Sequence, residues 1–96
     1  GNDGTATVTG IVLENNQGCR VDASCYLRLR VGSDEIRVIY HPGEGEGHVN
    51  KAAYQQGVSV AKGAHVEVYG RYSKRADVAM IETFSSDKFY IPVLAN

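Results

Sequence analysis

An all-β, five-stranded Greek-key barrel with one short helix between the third and fourth strands is the fold this sequence predicts. Three observations lead to it. The run Thr5-Ala6-Thr7-Val8-Thr9-Gly10-Ile11-Val12-Leu13 and the run Ala64-His65-Val66-Glu67-Val68-Tyr69-Gly70-Arg71-Tyr72 both mostly alternate in strand fashion, each broken by a single glycine. Between them lie a two-strand hairpin and one helix-like segment. A fifth, less regular strand follows, giving the order strand, strand, strand, helix, strand, strand.

The first strand is expected over residues 5–13, with Gly10 marking a bulge or sharp bend. Residues 14–24 read as a polar loop whose Asn15-Asn16-Gln17-Gly18 supplies turn residues. The second strand covers 25–31, Leu27, Leu29 and Val31 facing one way and Tyr26, Arg28 and Arg30 the other. Gly32-Ser33-Asp34 closes a hairpin onto the third strand, 35–41. There Ile36, Val38 and Tyr40 are assigned inward and Arg37, Ile39 and His41 outward; a one-residue slip would exchange the two sets. Pro42 ends that strand, and Gly43-Glu44-Gly45-Glu46-Gly47 reads as a flexible acidic loop. Asn50 is the expected N-cap of a helix over 51–56, with Gly57 as its stop. The fourth strand spans 64–73, with Val66 and Val68 inward and His65, Glu67, Tyr69 and Arg71 outward. Lys74-Arg75-Ala76-Asp77 forms a charged turn, and the fifth strand runs over 78–84. Residues 88–94 form an apolar tail that Pro92 confines to a sheet edge, where it covers the barrel or pairs with another chain.

Ninety-six residues make one domain, taken as 5–94. Residues 1–4 read as a trimmed, disordered amino end. A formal charge of −1 lacks the strong basic excess of a dedicated high-affinity DNA binder. No apolar run is long enough to span a membrane.

Cys19 and Cys25 close a small loop as a disulfide if their Cα atoms come within range; otherwise they are two free buried thiols of a cytosolic protein. The polar segment between them, which connects two strands, favours the bond and with it an oxidising compartment. The expected setting is then the periplasm, or the membrane surface by way of a lipoprotein signal removed ahead of Gly1; otherwise the domain is soluble.

The element order resembles the OB-fold. The residues that carry the resemblance are Val60-Ala61-Lys62-Gly63-Ala64-His65-Val66-Glu67-Val68-Tyr69-Gly70-Arg71-Tyr72 and Val8-Thr9-Gly10-Ile11-Val12. They look like the fourth and first strands of nucleic-acid-binding OB domains of the tRNA-anticodon-binding type. Small exported or lipoprotein-attached bacterial OB domains are the nearest subgroup. The resemblance implies a ligand laid across the outer face of the second and third strands.

That face would carry Tyr26, Arg28, Arg30, Arg37 and His41, with Tyr69 and Arg71 on the fourth strand and Lys74 and Arg75 in the following turn. Single-stranded nucleic acid needs cations for its phosphates and rings for its bases, and Tyr26 with three arginines offers both. The same arginines equally make a solvated face, paired with Glu35 and Glu67. An envelope protein partner or an oligosaccharide is the alternative ligand.

Catalysis, a cofactor and a metal find little support. No serine stands in a nucleophile-elbow context. Glu44 and Glu46 lie in a loop too loose for acid–base work. His41, His48 and His65 have no ligand-type neighbours at short spacing, and the Cys19–Cys25 spacing exceeds that of a zinc knuckle.

Overall fold

Alternating side chains along five strands wrap one core. The computed structural model describes residues 4–19, 24–43 and 49–94. Its elements are β1 (Thr5–Asn16), β2 (Cys25–Val31), β3 (Asp34–His41), α1 (Lys51–Ser59), β4 (His65–Arg75) and β5 (Val78–Glu82). The strands close in the order β1-β2-β3-β5-β4, with β3 and β5 parallel and every other neighbour antiparallel. This is an OB-like barrel with its helix between β3 and β4.

Closure depends on β1, which pairs with β4 through Thr5 to Ile11 and with β2 from Ile11 to Asn16. Gly10 lies where the strand passes from one partner to the other. A Cβ there would stand 2.3 Å from the Arg30 carbonyl oxygen, so only glycine permits the approach.

Val12, Leu27, Leu29, Ile36, Val38, Tyr40, Val66, Val68 and Ile81 fill the interior, all buried. The phase assigned to the third strand therefore holds, with Ile36, Val38 and Tyr40 inward. A slip of one residue would have put Arg37 in this core.

Several boundaries differ from the sequence expectation, each for a tertiary reason. β1 runs on through Glu14, Asn15 and Asn16 rather than ending at Leu13. A register irregularity between Val12 and Glu14 re-aims the strand, and Asn15 then donates to the Gly57 and Val60 carbonyls, both at 2.9 Å. Those are carbonyls at the end of α1, where regular helix bonds run out; Gly57 also accepts from the Val60 amide at 3.3 Å. Gln17 does the same for Val58 at 2.8 Å. With its end capped from outside, α1 continues to Ser59, and Gly57 is a buried helical residue rather than a stop. The hairpin turn after β4 shrinks to Ala76-Asp77, with Lys74 and Arg75 still in the strand, and β5 ends at Glu82.

Asn50 caps α1 as expected, its Oδ1 accepting from the Ala53 amide at 3.1 Å. Its Nδ2 reaches the carbonyls of Thr83 (3.0 Å), Ser86 (2.7 Å) and Phe89 (3.0 Å). One side chain thus joins the helix start to the segment after β5. The tail then lies along the free edge of β4, bridging Val66 to Val93 and Tyr69 to Tyr90. Pro92 donates nothing and accepts from the Glu67 amide, as an edge position allows.

Tyr40 is wholly buried and its hydroxyl donates to Asn15 Oδ1 at 2.8 Å. Burial, with Tyr54 nearby, pushes this hydroxyl up to about 12 from its ordinary 10.0. The folded chain holds the proton that the unfolded chain loses near pH ~10. Stability is therefore complete below about pH 10 and falls as the pH rises toward about 12. Urea midpoints measured across that window should decline in the wild type and decline less in Tyr40→Phe. A wild-type midpoint as flat as the variant's would contradict this.

Candidate nucleic-acid interface

The outer faces of β2 and β3 present one continuous surface. Strand register sets Tyr26 beside Ile39, Arg28 beside Arg37 and Arg30 beside Glu35. β5 extends the rows, with Met80 next to Arg37 and Glu82 next to Ile39. β4 completes them, with Arg71 next to Glu82 and Ser73 next to Met80. On the other flank β1 adds Glu14 beside Arg28 and Asn16 beside Tyr26.

Two side chains form the centre of this surface. The Arg37 guanidinium carbon lies 4.2 Å above the centroid of the Tyr26 ring. Arg37 is exposed and Tyr26 half-buried, so the cation sits over the ring at the solvent boundary, within cation–π range. The Tyr26 hydroxyl accepts from Asn16 Nδ2 at 3.3 Å.

Arg28 is held by two carboxylates. Its Nε and Nη2 donate to both oxygens of Glu35, at 3.0 and 3.2 Å, and its Nη1 donates to Glu14 at 3.0 Å. The two carboxylates, Glu35 first, bind its proton still more firmly, and the Arg28 fork holds the Glu35 carboxyl below its usual range. These side chains are 37%, 42% and 51% exposed, so the triad adds little to stability. Its effect is on the surface: Arg28 is already neutralised.

Arg30 and Arg75 are exposed and make no hydrogen bond or ion pair among the described residues. Arg71 lies 3.5 Å from Glu82, whose carboxylate also accepts from the Phe84 and Ser85 amides. Lys74 alternates to the other side of the hairpin from Arg75. There it lines a depression of about 290 Å³ with Asp34, Tyr72 and Asp77.

Besides Lys74, two further residues expected on this surface are placed elsewhere. The His41 ring packs 4.9 Å from Tyr54 of α1, and its Nδ1 accepts from the Gly43 amide at 3.0 Å. Tyr69 packs against the tail, 5.3 Å from the Phe89 ring and 5.4 Å from the Tyr90 ring. A tail read only as an apolar edge gave no signal that it would claim this tyrosine. Glu14, Glu82, Asn16 and Met80 are the face residues that sequence reasoning missed. Glu14 and Asn16 become visible only once β1 is carried past Leu13.

Cys19 and Cys25 are joined as a disulfide, with Cα atoms 4.5 Å apart. Among the described residues no group of three or more His, Cys, Asp or Glu side chains is placed to hold a metal ion. No described helix is long and apolar enough to cross a membrane. His48, Glu44 and Glu46 lie outside the described residues.

No protein-family model, curated protein or solved structure matches this chain.

Proposed function

We propose that the chain is a non-enzymatic binding module of the OB type that takes single-stranded nucleic acid across the outer face of β2 and β3. The observation that carries this reading is the Arg37 guanidinium stacked 4.2 Å over Tyr26. An exposed cation already held over a ring puts a charge for a phosphate and a stacking surface for a base in one place. Ile39 and Met80, both half-buried, supply apolar contact on either side. Arg30 and Arg75, both exposed and without an ion pair among the described residues, add charge along the same surface. Arg28 contributes little to phosphate binding, because Glu14 and Glu35 offset its charge and take three of its five N–H donors.

Fluorescence anisotropy with a labelled single-stranded oligonucleotide, at low and at physiological salt, tests this. Affinity should fall with salt, since each phosphate contact releases counterions. Arg37→Glu should weaken binding at least ~5-fold, given about 1–3 kcal/mol for one stacked base. Arg28→Gln should change it little. Binding that ignores both salt and Arg37 would sink the proposal.

The disulfide favours a second reading, in which the module works in an oxidising compartment such as the periplasm or envelope and takes a protein partner or an oligosaccharide. Salt-insensitive binding of such a ligand, with no oligonucleotide bound, would select it.

A further inference from the structure

We infer that the Cys19–Cys25 disulfide is a redox switch on this face, which rests on reading the outer surface of β2 and β3 as the binding surface. The bond is placed where the face begins. Cys25 opens β2, and the register of β2 on β3 shifts between Cys25 and Tyr26. The next side chain is thus the ring that carries Arg37.

The other end of the bond anchors a short strut. Asn16 donates to the Tyr26 hydroxyl and accepts from the Gly18 amide at 3.0 Å, while Gln17 holds the Val58 carbonyl. Cys19 follows at once and is tied back to the residue before Tyr26. The strut therefore touches the end of α1, the Tyr26 ring and the disulfide within four residues. Opening the bond removes the covalent cross-link that ties it to the start of β2.

The two sulfurs are not equivalent. Cys25 is wholly buried and belongs to the hydrophobic core, whereas Cys19 is half-buried and packs against that core from outside. A dithiol reductant therefore attacks Cys19 Sγ through one thiolate. The Cys19–Cys25 bond breaks, Cys25 leaves as a thiolate and takes up a proton, and a mixed disulfide remains on Cys19. The reductant's second thiol then attacks the mixed disulfide, closes its own disulfide and releases Cys19, which takes a second proton. Two electrons and two protons have passed from reductant to protein. Cys25 remains in the core as a small apolar residue. Cys19 is released, and with it the preorganisation of Asn16 against Tyr26.

Anisotropy with a labelled single-stranded oligonucleotide is compared for the oxidised protein, for protein reduced by dithiothreitol and verified by mass, and for Cys19→Ser. The reduced protein and the variant should bind about threefold to tenfold more weakly, the loss expected when one or two contact side chains must be ordered on binding. Amide NMR spectra should shift on reduction at residues 14–19, 24–28, 37 and 57–60, and stay constant at Val66, Val68 and Ile81. Equal affinity in the two redox states overturns the switch and leaves the face standing. No binding by the oxidised protein overturns the face reading and the switch with it. Unchanged Tyr26 and Arg37 resonances on reduction overturn the switch whatever the ligand.

Discussion

Asn50→Ala should destabilise the domain by about 3–5 kcal/mol, a large share of the stability of a chain this size. The variant loses the acceptor that caps α1, worth about 1 kcal/mol alone. It also strips the donor from the carbonyls of Thr83, Ser86 and Phe89, and the bonds to Thr83 and Phe89 are buried. Each buried carbonyl left without a partner costs about 1–3 kcal/mol. A melting temperature lower by roughly 12 °C or more should result. Asn50→Asp separates the two contributions. As an N-cap, aspartate equals asparagine. As a partner for three carbonyls, it offers negative charge in place of an N–H group. Aspartate should therefore be no better than alanine. An aspartate variant as stable as the wild type would show that the cap, and not the link to the tail, is what Asn50 provides.

Gly57→Ala should destabilise by about 1–3 kcal/mol, against the direction helix propensity gives. In an open helix the same change would stabilise by about 1 kcal/mol. Here a Cβ would lie 2.4 to 2.7 Å from the Cγ, Cδ1 and Cδ2 atoms of Tyr40. The ring cannot swing aside cheaply, because it is wholly buried and its hydroxyl is held by Asn15. Asn15 is itself bonded to the Gly57 carbonyl, so ring, helix and strand end resist together. Urea unfolding measures the change, and a Tyr40→Leu background supplies the check. Removing the ring should cancel most of the Gly57→Ala penalty, a coupling that separate sites would not show. Stabilisation of the single variant would mean that α1 shifts away from β3 at little cost.

The strands were legible because their signal is local. Leu27 and Leu29, Ile36 and Val38, and Val66 and Val68 alternate within a few residues, and each pair is buried as that alternation demands. The ends were not legible, because what fixes them is remote in sequence. Asn15 and Gln17 look like turn residues, yet their partners lie 41 to 45 residues away, in the last turn of α1 and at its C-cap. Gly57 looks like a helix stop because its neighbour Tyr40 cannot be inferred from a window around it. The candidate face shows the same division. Tyr26, Arg28, Arg30 and Arg37 were correctly set outward by alternation. That Arg28 would be claimed by Glu14 and Glu35, and Arg37 by Tyr26, depended on three-strand register. Tyr69 and His41 left the face because the tail and α1 pack over them, and nothing in either strand's pattern encodes that packing.

The double pairing of β1 has a consequence for how quickly the chain reaches its native state. The ladder that closes the barrel joins Thr5 to Arg71, and the parallel pair joins Ile36 to Ala79. Neither can form until most of the domain exists, so loop entropy must be met before either contact is gained. Chains dominated by such distant pairings fold on the millisecond-to-second scale, not in microseconds. During synthesis the hairpin of β2 and β3 can assemble early. The first half of β1, by contrast, waits as an open strand until β4 has left the ribosome, and this is the interval in which the chain is most exposed to pairing with the wrong neighbour.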